Sequence, residues 1–264
     1  MDQFDFARPA LSSSAKPWTA AVIGGGFGGR LSLTALTESP HFELTAVADL
    51  RPELHDELTT LFPGIKTFTD HETLLRECPP DVVCVSTYAP THVAIAEAAL
   101  SLPLKGLLVE KPLSDSVAAA RQLFDRIRQR GLPLAVPHGL VTLSAGQEII
   151  RMIRAGELGQ LRLIEMQSPG WDIINAGIHW FHFALQIAGL APVRSVLTGC
   201  DGSAQIKRDG MQVETSAVTY VTLENGVRLI LQTGEHLTSN GRGDPGAAHF
   251  RIVGTGGLIE YHAW

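Results

Sequence analysis

Three glycines, Gly24, Gly26 and Gly29, stand on the spacing G-x-G-x-x-G, and that spacing has a physical use. The first permits a tight turn, the second lets backbone approach a pyrophosphate, and the third lets the following helix pack closely on the preceding strand. The helix N-terminus then presents N–H groups and the positive end of its dipole to the phosphate charge. Alone, the pattern is weak in a chain with 26 glycines. Here an apolar strand, Ala20 to Ile23, precedes it, a helical pattern starting near Arg30 follows, and Asp49 ends the next strand about 20 residues on, as a dinucleotide-binding turn requires. A carboxylate at that place accepts both ribose hydroxyls of an adenosine and repels the 2′-phosphate of NADP, which favours NAD. Arg51 pulls the other way, because a guanidinium can stack on adenine or reach a phosphate. The alternative for Asp49 is an N-cap of the helix beginning near Pro52.

A second set of residues has types suited to proton transfer. Lys111, fixed between Glu110 and Pro112, ends the apolar strand Gly106 to Val109, and ligands in doubly wound sheets bind at the carboxyl ends of strands. Its alternative is an ion pair with Glu110. His138 follows the strand Leu134 to Val136 in the same way, with a capping role as its alternative. His179 and His182 are three apart and share a helix face. Such a pair suits acid–base chemistry or, with Asp172, His138 or Glu165, a metal; the reading adopted is metal-free. Trp171, Asp172, Asn175 and His182 supply the donors, acceptors and apolar surface that a hydroxylated substrate needs.

The elements that must position these groups fall into two patterns. Through residue 136, strands alternate with helices: Phe42 to Ala48, Arg51 to Leu61, Asp70 to Arg76 with Asp70 as cap, Asp81 to Ser86, Pro90 to Leu100, Gly106 to Val109, Ser114 to Arg130 and Leu134 to Val136. That order implies right-handed crossovers and a doubly wound parallel sheet. Beyond Pro137 come helices over Ala145 to Ala155 and Ala176 to Ala188. The strands there are Leu161 to Met166, Val193 to Thr198, Gln212 to Leu223, Val227 to Gln232 and Phe250 to Val253. Glu224-Asn225-Gly226 reads as a tight hairpin with Asn-Gly at its positive-φ positions. The fold class is therefore α/β, with an N-terminal Rossmann sheet and a C-terminal α+β part built on an open, mostly antiparallel sheet. The division is a leader over 1–18, a dinucleotide-binding domain over 19–139 and a substrate and oligomerisation domain over 140–264. The segment from Ser239 to Ala247 reads as a flexible loop.

Composition narrows the function classes. A formal charge of -6 across 264 residues gives no electrostatic footprint for nucleic acid or an anionic membrane. Three cysteines, Cys78, Cys84 and Cys200, are too few for a disulfide framework. The absence of a basic start with an apolar run, or of any bilayer-length apolar segment, predicts a cytoplasmic protein.

Taken together, the glycine turn, the strand with His92 in the helix after it, the strand ending in Glu110-Lys111-Pro112, the run from Arg154 to Gln160 and the closing stretch from Arg251 to Gly257 resemble the glucose-fructose oxidoreductase, inositol dehydrogenase and MocA (Gfo/Idh/MocA) family. The resemblance implies bound NAD, or NADP, with Gly24, Gly26, Phe27, Gly28, Gly29, Asp49, Arg51, Thr87, His92, Glu110 and Lys111 around it. It implies that Lys111 hydrogen-bonds the reacting hydroxyl and His179 takes its proton. The substrate would be a sugar, polyol or similar ring held by Asn175, Asp172, Trp171, His182 and His138. The family's acids are replaced by Asn175 and His182, and without a carboxylate partner the pKa of His179 lacks an upward push. Asp172 is a substitute acid if Trp171 to Asn175 is a loop. The resemblance further implies a homodimer or higher homo-oligomer through the C-terminal sheet, in a second domain that is minimal or truncated. The alternatives to a sugar dehydrogenase are a redox-neutral, glycoside-cleaving enzyme that keeps its NAD, and a dinucleotide-binding sensor or subunit without turnover.

Overall fold

The computed structural model describes residues 16–201, 206–237 and 248–263. The chain divides into two compact units: residues 91–110 and 118–135 join the N-terminal segment up to Thr87, while 88–90 and 111–117 join the segment from Val136 onward.

The first unit is built on six parallel strands, β1 (Trp18–Ile23), β2 (Phe42–Ala48), β3 (Lys66–Phe68), β4 (Val82–Val85), β5 (Gly106–Val109) and β6 (Leu134–Ala135). Their spatial order is β3-β2-β1-β4-β5-β6. The chain reverses its direction of winding between β1 and β4, and such a switch point is where open α/β sheets bind ligands. Helices α1 (Phe27–Glu38), α2 (His55–Leu61), α3 (His71–Glu77), α4 (Ala89–Ala99) and α5 (Val117–Gln129) connect the strands. Residues 20–23 and 82–85 are all buried, as central parallel strands require. Leu33, Leu36, Leu58 and Ile65 pack against Ala20, Val22 and Val47 to make one of its cores. Asp70 caps α3, its Oδ1 accepting the Thr73 N–H at 2.7 Å. β1 starts at Trp18, inside the expected leader. The expected strands and helices of this half are present with small boundary shifts, and β3 is an addition.

The second unit carries helices α6 (Ser144–Arg154) and α7 (Ile178–Ile187) on a six-stranded sheet. Its strands are β7 (Leu161–Pro169), β8 (Val193–Cys200), β11 (Ser216–Leu223), β12 (Arg228–Gly234), β13 (Ala248–Gly254) and β14 (Leu258–Ala263); β9 (Ile206–Arg208) and β10 (Met211–Val213) form a separate ribbon. The order is β14-β13-β7-β12-β11-β8, with only the β7–β12 pair parallel. Strict alternation along β11 and β12 buries Val221, Leu223, Leu229 and Leu231 on one face. Trp180, Phe183, Ala184 and Ile187 recur at helical spacing, so α7 lays that stripe on the same core. There Phe250 meets Trp180 and Phe183 edge-on, with ring centroids 5.6 and 5.5 Å apart.

Four expectations change. The stretch from Gln212 to Leu223 is two strands, broken at Glu214 and Thr215, because the Glu214 carboxylate accepts the Ile173 N–H at 2.7 Å. β9 and β14 were not anticipated. At the hairpin only Gly226 has positive φ, at 85°; Asn225 instead accepts the Val227 N–H at 3.1 Å and donates to the Ala188 carbonyl at 3.0 Å. The helix expected from Ala176 is preceded by a π-helical turn over Ile173–Gly177. The segment from Ser239 to Ala247 lies outside the described residues.

Candidate active site

The glycine turn is shaped by backbone contacts. Gly24 has φ +101°, and a Cβ on it would lie 2.4 Å from the Ser86 carbonyl oxygen; a Cβ on Gly29 would lie 1.8 Å from the carbonyl oxygen of Gly24. These glycines let turn, strand and helix touch. Gly26 differs, since the nearest atom to its missing Cβ is the Arg51 guanidinium at 3.8 Å, so open space lies on that side. Gly26 also N-caps the 12-residue α1 without any side-chain acceptor for the first-turn N–H groups. An uncapped N-terminus beside open space fits a dinucleotide phosphate.

Asp49 does not cap a helix: Arg51 occupies the N-cap place of the short 3-10 turn Pro52–Leu54. The Asp49 carboxylate instead closes the glycine turn, Oδ2 accepting the Gly25 N–H at 2.7 Å. Arg51 donates to it three times, from its backbone N–H and Nε to Oδ1 at 2.9 Å each and from Nη2 to Oδ2 at 3.0 Å. Burial would raise the carboxyl's pKa, but the hydrogen bonds from Arg51 and Gly25 outweigh it and hold the group below the usual range. About four acceptor directions are available on a carboxylate, and all four are filled here. To take ribose hydroxyls, Asp49 must be released by Arg51, whose side chain is half exposed.

Glu110 lies beside this turn, its carboxyl 3.5 Å from where a Cβ of Gly28 would be. Phe27 is exposed. Thr87 hydrogen-bonds Thr91 through their hydroxyls at 2.8 Å. His92 was expected at the cofactor, but it is 1% exposed and its Nε2 lies 2.9 Å from the Thr87 carbonyl, so it is a brace for the segment after β4.

In the second unit the proton-transfer residues converge. Lys111 Nζ donates to the Asn175 carbonyl at 2.9 Å. His138 and His179 bring their Nδ1 atoms to 3.0 Å, and the His138 ring stacks on His182 with centroids 4.3 Å apart. The apolar stripe of α7 dictates this: with Trp180 and Phe183 in the core, the residues at 179 and 182 face away from it. His138 takes part through its ring, and its side chain makes no cap bond to the turn Gly139–Val141. Desolvation, followed by the Lys111 ammonium, pushes His179 down to about 3; desolvation, followed by His182 and Lys111, pushes His138 down to about 4. Burial lowers His182 as well. The site therefore holds neutral imidazoles beside an ammonium.

Asp172 is not the replacement acid for His179. It is the N-cap of the π turn, 1% exposed, and its carboxylate accepts the Asn175 N–H at 2.8 Å and the Asn175 side-chain amide at 3.0 Å on both oxygens. Its charge is matched by Arg208, 2.7 Å away, which also lies 4.9 Å from the centre of the half-exposed Trp171 ring. Asn175 therefore turns its amide to Asp172, while its carbonyl holds Lys111. Arg208 and Glu214, which tie the β9–β10 ribbon to this turn, were not anticipated; nothing in their local spacing marks them.

The sequence profile of an oxidoreductase family with an NAD-binding Rossmann fold, GFO_IDH_MocA, matches residues 18–138. The crystal structure of GenD2 from gentamicin A biosynthesis, in complex with NAD, shares the fold with a TM-score of 0.82 at 24% identity, covering 95% of this chain and 73% of that one. The rhizopine catabolism protein MocA of Rhizobium meliloti is 26% identical over 90% of this chain and 76% of its own. Residues 18–138 thus match the NAD-binding Rossmann part of the Gfo/Idh/MocA oxidoreductase family. The first unit is the NAD-binding Rossmann fold of that family. A dTDP-3,4-didehydro-2,6-dideoxy-alpha-D-glucose 3-reductase of Streptomyces violaceoruber is 33% identical over 51% of this chain, and that match spans 39% of the reductase. The relatives that this chain resembles thus include a sugar-nucleotide reductase. Among the described residues no helix is long and apolar enough to cross a membrane.

Proposed function

We propose that this protein transfers hydride between a nicotinamide and a secondary alcohol carbon of a sugar, polyol or sugar-like ring. One observation carries the reading: a neutral His179 sits in the same cluster as the Lys111 ammonium, so a base and an oxygen-polarising cation are available together near neutral pH. Bound NAD supplies the hydride acceptor. Lys111 stabilises negative charge developing on the substrate oxygen, and His179 removes the hydroxyl proton. Trp171 and His182 contact the remaining hydroxyls, and the Asp172–Asn175 turn holds Lys111 in place behind them. The first unit serves the cofactor, and the second unit, with Lys111 and His138, serves the substrate and a homo-oligomer contact on the open face of the second sheet, where Leu197, Val218 and Leu258 are exposed. The relative that reduces a sugar nucleotide supports the substrate class.

The test is a panel of sugars, inositols, glycosides and keto sugars with NAD and NADP, followed at the reduced-nicotinamide absorbance. Turnover with a ring polyol or sugar is expected. NAD binding without turnover on any substrate would favour the sensor, and a cleaved sugar without NADH the redox-neutral enzyme. Cofactor choice has its own prediction. Arg51→Ala uncovers Asp49 and removes the guanidinium that lies against it. The ratio of NADP to NAD dissociation constants should rise by about tenfold or more, read by fluorescence titration. An unchanged ratio would remove Arg51 from the adenosine site.

A further inference from the structure

In this protein the atom that touches the back of His179 belongs to another imidazole. The amide of Asn175 is turned to Asp172, and Asp172 is neutralised by Arg208. The partner of His179 Nδ1 is His138 Nδ1, 3.0 Å away across rings inclined at 79°. Edge contact of this kind directs one ring nitrogen at the other. His138 is placed there by the chain leaving β6 through Pro137, with extended backbone at φ -135° and ψ 99°.

Two neutral imidazoles joined through their Nδ1 atoms share one proton, because one must donate and the other accept. Two arrangements satisfy this. In the first, His179 Nδ1–H donates to His138, leaving a lone pair on His179 Nε2 and a proton on His138 Nε2. In the second, His138 Nδ1–H donates to His179, which then carries its proton on Nε2. The first offers a base to an alcohol and the second offers an acid to a carbonyl.

We propose that His138 is the positioning and proton-relay partner of His179, and that the pair passes between these two neutral states as hydride moves in either direction. The proposal rests on the oxidoreductase reading above. In oxidation, the substrate O–H bond breaks and its proton goes to His179 Nε2, the Nδ1 proton of His179 goes to His138 Nδ1, and the Nε2 proton of His138 leaves to solvent. A bound nicotinamide would accept the hydride from the alcohol carbon, and one proton would be released for each hydride transferred. No imidazolium persists on His179. This matters because, among the described residues, the groups facing the pair do not stabilise one: Lys111 is cationic, His182 is an imidazole stacked on His138, and Trp180 is the other ring neighbour of His179. A relay removes the charge that a carboxylate would otherwise balance.

The test uses the full-length protein with 15N-labelled histidine and two variants, His138→Phe and His138→Asp. In the cofactor-free wild type, imidazole nitrogen shifts should show both His138 and His179 neutral at pH 6, with a proton shared between their Nδ1 atoms. Independent tautomers, or a cationic ring at pH 6, would overturn the proposal. His138→Phe keeps the ring volume and removes the acceptor; kcat should fall about 10²-fold or more with KM changed less than about threefold. His138→Asp should restore much of that kcat and move the acid limb of the kcat/KM profile upward by at least about one pH unit, because a carboxylate favours the imidazolium. A merely structural His138 would give equal losses in both variants and leave the acid limb in place. If NAD binds but neither variant nor wild type turns over, the shift measurement still decides whether the proton is shared, while the oxidoreductase reading fails separately.

Discussion

Lys111→Met is expected to lower kcat by roughly 10²- to 10³-fold, the scale for removing one donor from a developing oxyanion. Methionine keeps the aliphatic stem and loses the ammonium, so the change isolates the charge. Binding of NAD, measured by fluorescence titration, should stay within about threefold, because Lys111 is no part of the uncapped start of α1 or the open side of Gly26, the features that fit a phosphate. The Lys111 bond to the Asn175 carbonyl is also lost, and a net contribution of about 1 kcal/mol is the scale for such a bond. Stability should fall by no more than about that amount. The pKa of His179 should rise, since the ammonium beside it is gone. Turnover within about tenfold of wild type would remove Lys111 from the chemistry.

A different kind of effect is expected at the glycine turn. Gly29→Ala forces a methyl onto the Gly24 carbonyl, with 1.8 Å to its oxygen and 2.8 Å to its carbon. Neither atom is the end of a flexible chain, so α1 must move off β1. The cost should be about 3 kcal/mol or more, at the upper end for overpacking. NAD binding should weaken sharply in whatever remains folded. Gly28→Ala is the control: its Cβ would meet only the Glu110 side chain, at 3.5 Å or more. Replacing a helical glycine there should be neutral or stabilising by a few tenths of a kcal/mol to about 1. Denaturant titrations of the two variants read this difference directly. Equal losses would mean that the close packing at Gly29 is not what the spacing enforces.

What could be read in advance follows the range of the forces involved. Gly24 and Gly29 were legible because a steric requirement between adjacent elements leaves a fixed spacing in the chain. Asp70 was legible because a cap bonds three residues ahead. The π turn at Ile173–Gly177 was not, since its single extra residue resembles ordinary helix in composition. β3 and β9, three residues each, are too short to show alternation. The site divides in the same way. Lys111, His179, His182 and His138 could be named singly, yet the His138–His179 bond joins residues 41 apart. The filling of Asp49 by Arg51 depends on rotamers that no spacing records. Arg208 stayed hidden because only the folded β9–β10 ribbon brings it to Asp172.

The amide of Asn175 facing Asp172 also constrains the order in which substitutions can accumulate. Asn175→Asp is a small change in sequence, but it would set a second carboxylate against one whose oxygens lie 3.0 Å from the present amide nitrogen. One of two carboxylates so close must stay protonated. Acidity at 175 therefore becomes accessible only after position 172 changes, and Arg208 would then lose its own counter-ion. Lys111, Asp172 and Arg208, from separate stretches of chain, thus lock the asparagine in place directly or through one another.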